Sequence, residues 1–165
     1  MHIHFLTTGG TIDKLYFDAK SEYQIGSPQV MSLLQELELA FQYTIEPMMA
    51  KDSLDLTDDD RALIRERVMA APADHVIITH GTDTMVETAR LLSGIPGKTI
   101  VLTGAMQPAR FHRSDAVFNV GTSVGAVSCL PPGVYICMNG KIFDPRKVRK
   151  NRDLGRFEEI NDTTT

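Results

Sequence analysis

The chain has 165 residues, of which 42% are hydrophobic, and a formal net charge of -4. This length is sufficient for one domain with a sizeable core, and the acidic balance argues against a general affinity for nucleic acid or anionic membranes. No apolar run approaches the length of a membrane span. Met1 leads directly into a strand-like segment without a basic and apolar leader, so we expect a cytoplasmic protein.

The first predicted strand covers residues 2–7 and ends at a glycine pair. Residues 14–26 show no clear period and predict a long mobile loop, which in a compact domain is typical of a functional lid. Ser27 as the N-cap and Pro28 at the first helical position then predict a helix. Its apolar face consists of Val30, Leu33, Leu34, Leu37 and Phe41.

A strand is predicted over residues 43–49, and Pro47 within it favours an edge strand or a strand end. After a loop over residues 52–55, a helix begins near Thr57. The acidic run 58–60 suits the first turn of that helix, where carboxylates complement the helix dipole, better than it suits a metal site. The core-facing residues predicted for this helix are Ile64, Val68 and Met69.

A short β-branched run over residues 75–78 predicts a buried strand, and an amphipathic helix follows it. The apolar positions of that helix are Met85, Val86, Ala89, Leu91 and Leu92. A turn over residues 93–97 leads to a second buried strand over residues 98–103. A loop over residues 105–114 then precedes a helix over residues 115–130.

The last predicted strand covers residues 134–138, and Asn139-Gly140 predicts a type I′ hairpin into residues 141–143. The basic run 146–152 precedes a polar tail. This run is short and lacks interleaved aromatic residues, which argues against a nucleic-acid patch. The two cysteines, Cys129 and Cys137, fall in predicted core elements, and we expect both to be unpaired.

Alternation of strands and helices predicts an α/β fold, with a mainly parallel sheet between two layers of helices and right-handed crossovers. The expected topology is Rossmann- or flavodoxin-like, in one domain over residues 1–165. Residues 7–11, 79–84 and 103–106 each follow a predicted strand. Because ligands bind outside the carboxyl ends of parallel strands, we expect these loops to meet in one pocket.

Two threonines, Thr11 and Thr82, lie beside glycines at these strand ends, and Asp83 follows the second. A threonine hydroxyl needs a base to act as a nucleophile, and a buried lysine paired with a carboxylate could serve. Amides of a glycine turn could stabilise an oxyanion. The simpler alternative is that both segments are only turns and helix caps. His80 has no partners at metal-ligand spacing, so packing or a supporting hydrogen bond is expected.

Three motifs resemble the bacterial-type L-asparaginase family, which includes the glutaminase-asparaginases. They are T-G-G-T-I at residues 8–12, T-H-G-T-D-T-M-x-E-T-A at 79–89, and G-A-M-x-P at 104–108 with Ser114-Asp115 and Phe118-Asn119 after it. The resemblance covers the family's N-terminal domain and implies that its C-terminal domain is absent. The departures are Leu54 in place of a glutamine and Gln107 in place of an arginine.

The resemblance implies five catalytic residues, which are Thr11, Tyr23, Thr82, Asp83 and Lys150. Thr11 would be the nucleophile, assisted by Tyr23 of the lid. Lys150 would complete a Thr-Lys-Asp arrangement with Thr82 and Asp83. Lys147 takes that place if the register of the basic run differs.

The resemblance also implies a set of substrate-binding residues, which are Gly10, Asp52, Ser53, Gly81, Thr82, Asp83 and Ala105. Ser53 would bind the α-carboxylate of the substrate, and Asp83 would hold its ammonium group. The carbonyl of Ala105 would lie against the side-chain amide.

The activity implied by the resemblance is hydrolysis of L-asparagine to L-aspartate and ammonia through a threonine acyl-enzyme, without a metal or organic cofactor. L-Glutamine is a possible second substrate, and a homo-oligomer (dimer or tetramer) without nucleic-acid or membrane partners is expected. Two alternatives remain open. One is a non-catalytic amino-acid-binding or regulatory domain, and the other is a subunit related to tRNA-dependent amidotransferases.

Overall fold

The computed structural model describes residues 1–18 and 22–160. The strands are β1 His2–Gly9, β2 Lys14–Phe17, β3 Glu22–Ile25, β4 Gln42–Lys51, β5 His75–Thr79, β6 Thr99–Thr103, β7 Gly133–Met138, β8 Lys141–Phe143, β9 Val148–Asn151 and β10 Arg156–Glu159. The α-helices are α1 Gln29–Gln35, α2 Asp58–Ala70, α3 Met85–Leu91 and α4 Ala116–Cys129. No helix in the described part of the chain is long and apolar enough to cross a membrane.

Six strands form the central sheet in the order β4-β1-β5-β6-β7-β8, and only β8 runs antiparallel to its neighbour. Numbered along the chain, the five parallel strands have the order 2-1-3-4-5, which is the flavodoxin-like topology. The predicted mainly parallel α/β sheet is therefore confirmed. The strand order reverses between β1 and β5, and a ligand crevice is expected at such a switch point, outside the carboxyl ends of both strands.

Helices cover both faces of the sheet, as predicted. Alternate residues of each strand point to opposite faces, so Phe5 of β1 packs with α1 and α4 while Leu6 packs with α2 and α3. Ile77 and Ile78 of β5 divide in the same way. All four of these side chains are fully buried, and truncating one to alanine would cost about 2–5 kcal/mol of stability.

Several local predictions are confirmed. Thr57 and Asp60 form a reciprocal capping box at the start of α2, so the acidic run lies in the first turn as expected. Pro47 lies in β4, an edge strand that pairs with β1 alone. Asn139 and Gly140 both have positive φ, at 55° and 75°, as a type I′ turn requires.

The loop predicted over residues 14–26 is wrong, because β2 and β3 form an antiparallel hairpin there. The backbone amide of Gly26 donates to the carbonyl of Asp13 at 2.8 Å and closes the base of the hairpin. Residues 19–21 of the predicted loop lie outside the described residues. The hairpin buries little of either face, so no alternation of apolar residues marked it in the sequence.

The start of α1 also differs from its prediction. Pro28 is the N-cap residue, and no side chain of the cap bonds to the helix. The carboxylate of Asp13 instead accepts the backbone N–H of Gln29 at 2.7 Å. The helix ends at Gln35, so Leu37 of the predicted apolar face lies beyond it and is exposed. The capping carboxylate of Asp13 is 16 residues before Gln29, so the local sequence around α1 does not predict it.

Three residues are more exposed than predicted, and one segment predicted to be irregular forms strands. Met69 and Leu91 were assigned to the core and are exposed. Cys137 is buried, but Cys129 ends α4 at the surface; both are free thiols. The basic run and the polar tail after it form a further hairpin, since β9 lies in the former, β10 lies in the latter, and the two pair antiparallel.

Candidate active site

The floor of the crevice is built by close contact of three backbone segments. Gly10 has a φ of 88°, and a Cβ atom there would lie 2.5 Å from the Cα of Gly81. A Cβ atom on Gly81 would in turn lie 2.6 Å from the Cβ of Ser53. Real Cβ contacts are never this short, so both positions require glycine. The loops after β1 and β5 therefore meet, as predicted from the strand ends, and the loop after β4 joins them. The third predicted loop reaches the same place, since a Cβ atom on Gly104 would lie 2.3 Å from the His80 carbonyl oxygen.

Ser53 lies within this floor with its side chain almost completely buried. Its hydroxyl has no hydrogen-bond partner among the described residues. An unsatisfied buried hydroxyl is costly, typically by about 1–3 kcal/mol. A polar group of a bound molecule would relieve that cost, which makes Ser53 a candidate binding residue on physical grounds.

Thr82 occupies the turn between β5 and α3 and is only 4% exposed. The Nζ atom of Lys150 donates to its hydroxyl oxygen at 2.7 Å and to Oδ1 of Asp83 at 3.0 Å. A lysine held between a hydroxyl and a carboxylate can carry a proton to or from that hydroxyl. Lys147, the alternative in the sequence, is exposed in the turn before β9.

The hairpin of β9 and β10 delivers Lys150 to this position. Val148 and Phe157 are buried in the core, and the Phe157 ring lies 6.4 Å from that of Phe143. The backbone amide of Phe157 also donates to Oδ1 of Asn139 at 3.0 Å. These contacts fix the hairpin, and the register of β9 then sets where Lys150 lies.

The sequence analysis did not identify two further cations at the crevice, Arg152 and Lys14. Nε of Arg152 approaches Oδ1 of Asp83 to 3.3 Å, although its side chain is 68% exposed. Nζ of Lys14 donates to Oδ2 of Asp52 at 3.0 Å. The signals available were the position of Lys14 three residues after Thr11, and the continuation of the basic run past Lys150.

The Asp52 carboxylate is held in its charged form. Burial by itself would raise its pKa, but the hydrogen bonds from Lys14 and from the Leu54 amide act against this, together with the charges of Lys14 and Lys150. The result is a pKa below the ordinary aspartate value. Asp52 is therefore an anion facing two lysines.

Thr11 and Tyr23 are both less enclosed than Thr82. Thr11 begins a 3-10 turn, Thr11–Asp13, and is partly buried. Tyr23 belongs to β3 and is 49% exposed. Its ring packs 5.3 Å from Tyr16 and 6.1 Å from Phe111 in the loop after β6. Neither hydroxyl has a side-chain hydrogen bond among the described residues.

Asp13 lies in the same turn as Thr11. Its side chain is buried against the start of α1, and this burial raises its pKa to about 7. The hydrogen bond from the backbone N–H of Gln29 acts in the opposite direction. The Gln29 side chain continues the chain of contacts, since its Oε1 accepts from Nε of Arg110 at 3.1 Å. Asp13 therefore links the Thr11 turn, the hairpin base and α1.

The loop that carries Ala105 is held by the residues of the third motif. The Asp115 carboxylate accepts the amides of Met106 and Gln107 at 3.0 and 3.1 Å. Nδ2 of Asn119 donates to the Gly104 carbonyl at 3.0 Å. This part of the motif supports the loop rather than reaching the crevice, and Ala105 itself is buried.

His80 supports the turn before Thr82, as expected of a packed histidine. Its Nδ1 lies 2.7 Å from the carbonyl of Gly81, and its Nε2 lies 2.9 Å from the hydroxyl of Thr88. Complete burial lowers its pKa to about 4, with the Gly81 contact opposing the shift. The ring is therefore neutral, with Nδ1 donating and Nε2 accepting. Within the described residues, no group of three or more His, Cys, Asp or Glu side chains could hold a metal ion.

Comparison with known proteins places these loops in context. The family model "Asparaginase, N-terminal" matches residues 2–163. L-asparaginase 2 of Escherichia coli (strain K12) is 31% identical, over 97% of this chain and 50% of its own length. The thermostable L-asparaginase structure from Thermococcus kodakarensis has a TM-score of 0.87 at 29% identity, over 98% of this chain and 52% of that one.

A structure described as a probable cytoplasmic L-asparaginase from Campylobacter jejuni is also similar. Its TM-score is 0.73 at 29% identity, over 96% of this chain and 51% of that one. The chain therefore spans about half the length of the proteins that it matches.

Proposed function

The chain belongs to the asparaginase family, and we propose that it hydrolyses the side-chain amide of L-asparagine, with L-glutamine as a second candidate substrate. The observation that carries the proposal is the contact of Lys150 with Thr82 and Asp83 at the switch point of the sheet. A threonine hydroxyl is a weak nucleophile or proton donor by itself, and a lysine–carboxylate pair beside it supplies the missing proton transfer.

In the proposed reaction, the Thr11 oxygen attacks the amide carbon, and the C–N bond breaks with release of ammonia. The hydroxyl proton of Thr11 passes to the leaving nitrogen, with the Tyr23 hydroxyl as its carrier. Water then attacks the resulting ester and regenerates the Thr11 hydroxyl and a carboxylic acid. The Thr82–Lys150–Asp83 group orients the amide and moves protons during both steps.

Substrate binding in this proposal uses the charged and unsatisfied groups of the crevice. The buried Ser53 hydroxyl, which has no partner within the described residues, would donate to the α-carboxylate. Asp83 would hold the α-ammonium group, and the carbonyl of Ala105 would accept from the side-chain amide. Gly10 and Gly81 would contribute by letting the segments that carry Thr11, Ser53 and Thr82 pack closely together.

The direct test is ammonia release from L-asparagine and L-glutamine by the wild type and the Thr11→Ala and Thr82→Ala variants. We expect release by the wild type and loss of release in both variants, with unchanged circular dichroism spectra. A ligand-induced rise in melting temperature without ammonia release would replace the proposal by an amino-acid-binding domain. Binding of tRNA at moderate salt would instead support the amidotransferase-related alternative.

We further propose that the chain acts in the cytoplasm and as a homo-oligomer, at least a dimer. The first proposal is supported by similarity to the structure described as a probable cytoplasmic L-asparaginase. Cell fractionation would test it, and recovery from another compartment would contradict it. Light scattering would test the second, and a monomer at micromolar concentration would overturn it.

A further inference from the structure

The ion pair of Lys14 and Asp52 lies at the crevice but forms no side-chain hydrogen bond to Thr11 or Thr82. Lys14 is the first residue of β2, and its Nζ lies 3.0 Å from Oδ2 of Asp52. Asp52 immediately follows β4 and precedes the buried Ser53. The pair therefore connects the hairpin that carries Tyr23 with the loop that carries Ser53.

Lys14 differs from the other cations of the crevice in its partners. Lys150 is engaged by both Thr82 and Asp83, and Arg152 faces Asp83. The contact found for Lys14 among the described residues is with Asp52 alone. Lys14 is thus the cation of the crevice that can change partner without disturbing the Thr82–Lys150–Asp83 group.

The surroundings of the pair make such an exchange easy. The side chains of Lys14 and Asp52 are 29% and 32% exposed, so water screens their attraction and the pair is weak. The Asp52 carboxylate would still have favourable contacts after Lys14 leaves. Its Oδ1 keeps the hydrogen bond from the Leu54 amide at 3.2 Å, and it remains in the field of Lys150.

An α-amino acid amide brings a carboxylate that needs such a cation. The Ser53 hydroxyl can supply one donor to it, but a hydroxyl carries no charge to balance an anion inside a crevice. Hydrogen bonds between an ammonium and a carboxylate are about twice as strong as neutral ones. Lys14 is a candidate for that cation, because its Nζ is held on Asp52, the residue that directly precedes Ser53.

Resting on the proposed function, we propose that Lys14 is a specificity-determining residue that exchanges Asp52 for the α-carboxylate of the substrate. The substrate class is then restricted to ω-amides that carry an α-carboxylate. When no substrate is bound, the ion pair with Asp52 keeps the Lys14 ammonium group near the Ser53 hydroxyl. Both donors therefore face the same carboxylate when a substrate enters.

A static tether is the competing interpretation of the same ion pair. Lys14 would then only hold the hairpin against the loop after β4. Loss of a tether would weaken every substrate alike, because the placement of Tyr23 would suffer whatever group the substrate carries. Loss of a carboxylate-binding group would weaken only those ligands that carry the carboxylate.

The experiment compares three amides in the wild type and in Lys14→Met. The amides are L-asparagine, succinamate, which lacks the ammonium group, and 3-aminopropanamide, which lacks the α-carboxylate. We expect Lys14→Met to raise the KM for the first two about tenfold, equivalent to about 1.4 kcal/mol, with kcat within threefold. The kcat/KM for 3-aminopropanamide should stay within twofold of the wild-type value. For any amide that is not turned over, its inhibition constant is compared in place of KM.

Two further variants control for charge and for general damage. Lys14→Arg keeps the positive charge and should recover most of the affinity. Lys141→Met removes another lysine of an ion pair, with Glu159 at 2.9 Å, far along the sheet in β8. This variant should match the wild type on all three amides. Equal losses on all three amides in Lys14→Met, or no loss on any, would overturn the proposal.

Calorimetric binding of the product separates this inference from the proposed function. L-Aspartate retains the α-carboxylate and β-alanine lacks it, and neither measurement needs turnover. We expect Lys14→Met to weaken L-aspartate about tenfold and β-alanine less than twofold. A wild type that releases no ammonia but shows this difference would refute the hydrolase while keeping the inference. Absence of any L-aspartate binding to the wild type would overturn the inference itself.

Discussion

Thr82 and Thr11 follow two neighbouring parallel strands, yet their surroundings differ sharply. Thr82 is buried, bonded to Lys150, and carried by a turn in which Thr84 donates to the Ser53 carbonyl at 2.7 Å. Thr11 is partly buried, and no side-chain bond holds it within the described residues. The Thr82 hydroxyl is therefore held in place before any ligand arrives, whereas no side chain among the described residues holds the Thr11 hydroxyl.

The cover over each threonine explains the difference. The hairpin of β9 and β10 above Thr82 is anchored in the core through Val148 and Phe157. The hairpin of β2 and β3 beside Thr11 has no fully buried residue in its described strands. A two-stranded hairpin with little buried surface is marginally stable by itself, so this cover is held less firmly than the hairpin above Thr82.

The largest expected effect is loss of either threonine hydroxyl. Thr11→Val and Thr82→Val should each lower kcat for ammonia release by about 10³-fold or more, since both keep the side-chain shape and remove the reacting group. Their stabilities should separate them. Urea unfolding should show a loss of about 1 kcal/mol for Thr82→Val, which breaks the Lys150 bond, and no change for Thr11→Val. Equal destabilisation would mean that the two hydroxyls are equally well held.

The Tyr23 hydroxyl should have the next largest effect. Tyr23→Phe keeps the ring contacts with Tyr16 and Phe111, so we expect an unchanged melting temperature and a kcat about 100-fold lower. Tyr16→Phe is the matched control, because it removes a hydroxyl from the same hairpin 5.3 Å away. Similar kcat losses in both variants would remove Tyr23 from the proton transfer.

Asp13 should make stability fall as the pH rises. Its pKa is raised from 3.8 to about 7 in the folded chain, so between about pH 4 and 7 the folded state binds more protons than the unfolded state. The free energy of unfolding then decreases across this window and levels off above about pH 7. Three pKa units correspond to about 4 kcal/mol, which is an upper estimate.

Asp13→Asn should remove most of that slope, since the amide keeps an acceptor for the Gln29 N–H without a charge. Urea unfolding at pH 4, 6 and 8 measures it, and Asp153→Asn in the exposed turn after β9 is the control. The wild type and Asp13→Asn should agree at pH 4 and diverge at pH 8, with the variant more stable. Parallel profiles would show that the pKa of Asp13 is the same in the folded and unfolded chains.

The smallest expected effect concerns Arg152. Its guanidinium lies 3.3 Å from Asp83, but the side chain is 68% exposed and screened by water. Arg152→Met should therefore change KM for L-asparagine by no more than about threefold and leave kcat unchanged. A loss of kcat as large as that expected for Thr82→Val would mean that the exposed Arg152 is also needed to hold the Thr82–Lys150–Asp83 group in place.

Local patterns determined much of this protein. The apolar runs predicted the buried strands, and their alternation with helices predicted the parallel sheet and the edge where the loops meet. The Thr57 capping box, the Pro47 edge strand and the Asn139-Gly140 turn each depend on residues that are neighbours in sequence. Such features can be read directly, because the groups that form them lie within a few positions of one another.

Only the tertiary structure decided which distant groups meet. Lys150 reaches Thr82 from 68 positions away, through a hairpin whose register the core sets. Asp13 caps a helix that Ser27 was expected to cap, and the exposed strands beside Lys14 pair without an apolar alternation to announce them. Contacts of this kind depend on chain paths that close long loops, and no local residue pattern encodes where such a path returns.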